Sequence, residues 1–60
     1  MKIGEIWRHK QTKHSGSITD IKQTEKEFMI TFKFHKEMIF SKWDRKKFLD
    51  SFERSYNENN

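Results

Sequence analysis

The chain has no cysteine, proline, alanine or valine, and only two glycines among its 60 residues. Without cysteine there is no disulfide framework and no thiolate metal site, which fits a reducing, cytoplasmic setting. No apolar run approaches ten residues, so the sequence predicts neither a signal-peptide core nor a membrane span. The sequence signatures of catalysis are missing as well. There is no Gly-rich phosphate loop, no nucleophile elbow and no HExxH. A chain this short also has little room beside its core for a substrate pocket, so the expectation is a protein that is not an enzyme and holds no cofactor.

What is present is charge and aromatic surface. Lysine and arginine together number 13 against nine acidic residues, for a net charge of +4. The excess is concentrated in residues 1–14, where Lys2, Arg8, Lys10 and Lys13 face only Glu5. His9 and His14 would add to it at mildly acidic pH. Six Phe, two Trp and one Tyr are enough to pack a core, which argues against disorder despite the 37% charged residues. A domain of this size buries only about 60% of its unfolded surface. Small domains supplement such a core with disulfides, metals or self-association, and the composition favours the last, as a homodimer.

The most informative stretch is Phe28 to Phe40. Phe28, Ile30, Phe32 and Phe34 recur at every second position, the spacing that puts side chains on one face of a strand. After the polar break His35-Lys36-Glu37, Met38 and Phe40 resume the alternation, as the return strand of a hairpin. Upstream, residues 2–8 predict a first strand, weakened near Gly4. Residues 17–22 predict a second. Ile18 and Ile21 lie three apart, so strict alternation would place them on opposite faces unless a bulge intervenes. From Ser41 the period changes. Ser41 and Asp44 suit a helix N-terminus, and Phe48, Leu49, Phe52 and Tyr56 form one helical stripe. Residues 1–56 are thus expected to form one α+β domain: a curved, four-stranded antiparallel sheet plus a C-terminal amphipathic helix. Residues 57–60 are expected to be a frayed polar tail.

Gly4-Glu5-Ile6-Trp7-Arg8, a polar loop to Gly16-Ser17-Ile18 and a following hairpin resemble small SH3-like barrels of the KOW or Tudor kind, partly open. They are equally similar to short freestanding β-barrel proteins of bacteriophages. The resemblance spans residues 2–42 and implies an accessory protein that inhibits or modulates a host protein. It carries over no binding residue, and the helix departs from a minimal barrel.

Two binding roles follow from the residues themselves. A protein-binding surface would use Trp7, Met29, Ile39 and Trp43 as apolar anchors, with Lys46 and Lys47 on the rim. A nucleic-acid surface would use Trp7, Arg8, Lys10, Lys13 and Lys33, the aromatic stacking on bases and the cations meeting phosphates. His9, His14 and His35, with Glu37 or Asp20, match no recognised metal-ligand spacing and are expected to be ordinary polar residues.

Overall fold

The computed structural model describes residues 1–55. Five strands and one short helix follow in order: β1 (Ile6–His9), β2 (Ser15–Gln23), β3 (Phe28–Phe34), β4 (Phe40–Asp44), α1 (Arg45–Ser51) and β5 (Phe52–Arg54). All neighbours are antiparallel, in the order β4-β3-β2-β1-β5. The class is α+β, as the patterning predicts, but with five strands rather than four. No helix among the described residues is long and apolar enough to cross a membrane.

The Phe-rich strand behaves as its spacing requires. Ile30 and Phe32 are fully buried, and Phe28 and Phe34 are half-buried on the same face. The register of β2 against β3 shifts between Ile18 and Asp20, so Thr19 is an inserted residue. That bulge resolves the odd spacing of the two isoleucines. Ile18 pairs with Phe32 and Ile21 with Ile30, and both join the core. Gly16 is buried where β2 crosses β3. A Cβ there would run into the Lys33 carbonyl oxygen and come within 2.5 Å of the Phe32 ring.

The C-terminal part departs most from expectation. Ser41, Lys42 and Trp43 belong to β4, and the helix cap is Asp44, whose Oδ1 accepts from the Lys47 backbone N–H at 2.8 Å. The helix has only seven residues. Its first turn holds Arg45, Lys46 and Lys47, which oppose the dipole, and no basic residue favours its last turn. A helix so short persists only through packing. Phe48 supplies that packing, while Leu49 is 41% exposed. At Phe52 the chain becomes extended and pairs with the free edge of β1. The stripe expected on one helix is therefore divided between a helix and a strand, and Tyr56 lies outside the described residues.

Phe52 is the hub of the core. Its ring stacks on Phe48 with centroids 4.5 Å apart, and it meets Phe32 at 4.7 Å and Trp43 at 5.0 Å. Trp43 is on β4 and Phe52 on β5, so side chains of the two edge strands touch across a strongly curved sheet. Trp7 packs edge-on against Phe48 at 5.0 Å.

Candidate functional site

Two concave features lie on either side of Trp43. The first is an open groove along β4 and the first turn of α1. Phe28, Met29 and Trp43 supply its apolar surface, and Lys26, Lys42, Arg45, Lys46 and Lys47 its rim. Among the described residues Glu27 and Asp44 are the two carboxylates on its lining, and Asp44 is already engaged as the helix cap. The positive character follows from chain geometry. The lysines that follow the cap must lie in an exposed first turn, because only Phe48 of this helix is buried. The Arg45 guanidinium sits 5.5 Å from the Phe28 ring centroid, holding a cation over an aromatic face at the groove wall.

The second feature is an open cavity of about 300 Å³ at the opposite end of β4, between the β1–β2 and β3–β4 connections. His9, Phe34, Ile39 and Trp43 give it an apolar lining. His14 Nδ1 meets Glu37 Oε2 at 2.7 Å and ties the two connections together. His9 packs edge-on against Phe52 at 5.0 Å, and its Nδ1 accepts from the Gln11 backbone N–H at 3.2 Å. The His35 ring meets the Ser17 hydroxyl. The three histidines are thus separately engaged, and no group of three or more potential ligands able to hold a metal occurs among the described residues.

The residues singled out for protein binding divide into three groups. Met29, Trp43, Lys46 and Lys47 come together on the groove. Ile39 is 57% exposed at the other end of β4. Alternation puts Met29 and Ile39 on one face. The register instead places Met29 opposite Asp44, and the Ile39 carbonyl oxygen accepts from the Phe34 N–H, on the Phe34 side of the sheet. Trp7 is 9% exposed and belongs to the core. Its indole N–H donates to Glu5 Oε1 at 3.1 Å, which satisfies the polar end of a ring otherwise held by Phe48.

That burial also alters the nucleic-acid set, since Trp7 offers no free face for a base. Arg8, Lys10 and Lys13 stay near one another around Glu53, whose carboxyl is held below its usual range by the Arg8 hydrogen bond, with the two lysines adding smaller effects. Arg8 donates to Glu53 Oε2 through Nε at 3.0 Å and Nη2 at 2.8 Å. Lys33 lies on β3, with its ammonium 5.5 Å from the Phe40 ring centroid. Glu5 is also lowered. Partial burial alone would raise it, but the Trp7 indole, a backbone hydrogen bond at Lys2, and the charges of Arg54 and the N-terminus more than offset that.

Sequence patterning does not single out Lys26 and Phe28, because alternation assigns Phe28 to the core and Lys26 to a turn. It also passes over Phe40, which is 59% exposed. One signal is available for Phe40: Met38, Ile39 and Phe40 are three consecutive apolar residues, which no strand can bury on a single face. No family model, curated protein or solved structure matches the chain.

Proposed function

We propose that the chain is a non-enzymatic binding module whose groove receives an acidic segment of a protein partner carrying at least one large apolar side chain. One observation carries this reading. Among the described residues, the groove sets Phe28, Met29 and Trp43 beside five cations, with a single carboxylate, Glu27, left unengaged by the helix cap. Such a surface favours a ligand that brings both negative charge and apolar contact. The cations set encounter rate and orientation, and the aromatic floor sets residence time. The strand order, with a short helix leading into β5, supports an SH3-like reading of the fold.

A nucleic acid also brings negative charge, and the two ligands separate under salt and nuclease. The test uses the tagged chain and a charge-reversed variant, Lys46→Glu with Lys47→Glu. Both side chains are exposed, so folding is expected to survive. The expected result is capture of a protein from nuclease-treated lysate by the native chain and loss of that capture in the variant. Capture that disappears on nuclease treatment overturns the reading. So does oligonucleotide affinity that falls by orders of magnitude between about 50 and 200 mM salt.

A further inference from the structure

Strand β4 lies at one edge of the sheet, with β3 as its one partner among the described residues. In an antiparallel ladder, successive residues turn their backbone groups alternately toward one neighbour and toward the other side. Phe34 donates its N–H to the Ile39 carbonyl at 2.9 Å. With Phe32 opposite Ser41 and Ile30 opposite Trp43, the backbone groups of Ser41 and Trp43 therefore face β3. Those of Phe40 and Lys42 face outward, and no described residue pairs with them. Unpaired edges in soluble proteins are commonly blocked by proline, a bulge or an inward-pointing charge. β4 has no proline, and its one lysine, Lys42, lies on the outer face opposite Thr31. Beside this edge, Met38, Ile39 and Phe40 are 62%, 57% and 59% exposed.

We propose that two copies of the chain associate through β4, antiparallel, with Phe40 opposite Lys42 of the second copy and Ser41 opposite its own counterpart. The register follows from charge and pairing class. Outward-facing residues must oppose outward-facing residues, so the ladder can centre on any residue from Phe40 to Asp44; centring on Trp43 or Asp44 runs each strand into the start of the other copy's α1, which leaves three alignments. Centring on Lys42 sets two lysines directly opposite, a destabilising pair. Centring on Phe40 runs the strands past each other after a single residue, because Met38 has φ +58 and is not in strand conformation. Centring on Ser41 avoids both faults. It places the Phe40 ring between Lys33 of its own chain and Lys42 of the second copy, extending the cation–aromatic contact already formed at 5.5 Å. On the inner face it sets exposed Ile39 against Trp43 of the second copy. Pairing covers the Ser41–Lys42 wall of the groove and leaves the end lined by Lys26, Phe28, Arg45, Lys46 and Lys47 open. The pairing therefore shares Lys42 and Trp43 with the proposed groove, while Lys26, Arg45, Lys46 and Lys47 stay outside it.

The lack of cysteine makes the test direct. Ser41→Cys introduces the sole thiol at the position where the two strands approach most closely, and Gln11→Cys serves as an exposed control. Under mild oxidation the Ser41→Cys chain is expected to form a covalent dimer at least about ten-fold faster than the control, as a high effective concentration requires. Equal rates overturn the pairing, and a faster reaction for Lys42→Cys or Phe40→Cys overturns the register. Because the Ser41→Cys change removes a hydroxyl that accepts from the Trp43 indole, the native chain supplies a second measurement. Its sedimentation is expected to shift from monomer to dimer as concentration rises, with hydrogen exchange at the Phe40 and Lys42 amides slowing in parallel. A monomer at millimolar concentration overturns the proposal, as does protection that does not change with concentration.

Discussion

Single atoms decide several positions in this small protein. At Gly16 the space for a side chain is already filled by the Lys33 carbonyl and the Phe32 ring. Gly16→Ala is therefore expected to lower stability by about 3 kcal/mol, read as a drop in the urea midpoint with little change in slope. Gly4 differs. Nothing crowds it, but its φ of +96 is one that residues with a Cβ rarely adopt. Gly4→Ala should cost about 1 kcal/mol through backbone strain alone. Glu5 and Glu53 give the fold a pH dependence of definite sign. Both carboxyls have folded pKa values below their unfolded ones. Their contribution is full above about pH 5 and is lost as pH falls through about 4 toward the lowered folded values. Thermal midpoints measured between pH 3 and 7 should fall on the acid side, and Glu5→Gln should flatten that fall. An unchanged profile would show that Glu5 contributes nothing through its charge.

Among the elements, strands are easier to read than the helix. The Phe28–Phe34 alternation survives because β3 is an interior strand, flanked by β2 and β4, with one face packed on the core. The spacing of Ile18 and Ile21 requires a bulge, and Thr19 provides it. Deleting Thr19 would restore strict alternation with Ile18 still opposite Phe32 and Ile21 opposite Ile30, so both isoleucines are expected to stay on the core face. The helix misleads for a physical reason. A period of 3.6 residues and a strand that follows a short helix both place Phe48 and Phe52 on the core side, so the stripe does not tell them apart. What decides is the free edge of β1, a property of the assembled sheet that no local pattern carries. The cap offers a clean check. Asp44→Ala should cost about 1 kcal/mol through loss of the Lys47 bond, whereas Ser41→Ala should cost nothing at the helix terminus. Comparable losses of helical exchange protection in both variants would contradict the assignment of the cap to Asp44. The groove residues are only partly legible. Met29, Trp43, Lys46 and Lys47 stand out by type, but Lys26 and Phe28 join them only because β3 begins where β4 ends.

At the scale of the whole molecule the core is narrow. Among the described residues six hydrophobic side chains, those of Trp7, Ile18, Ile30, Phe32, Phe48 and Phe52, are buried, so each loss is a large fraction of the total. Phe52→Ala removes the ring on which Phe48, Phe32 and Trp43 converge and should cost about 4 kcal/mol. Near-complete loss of cooperative thermal unfolding is the expected outcome, and a midpoint within a few degrees of the native chain would refute the role given to Phe52. The partnership of β1 with β5 has a consequence for the order of events in folding. Strands β2, β3 and β4 are joined by short connections and can zip together locally. Trp7 meets Arg54 only when almost the entire described chain has been looped back on itself. Closing that loop is entropically the most demanding step, and it is rewarded only when Phe52 arrives. The sheet therefore fastens from its middle outward. Until its fifth strand is in place, β1 has a bare inner edge and the aromatic interior stays open to water, or to another unfinished chain.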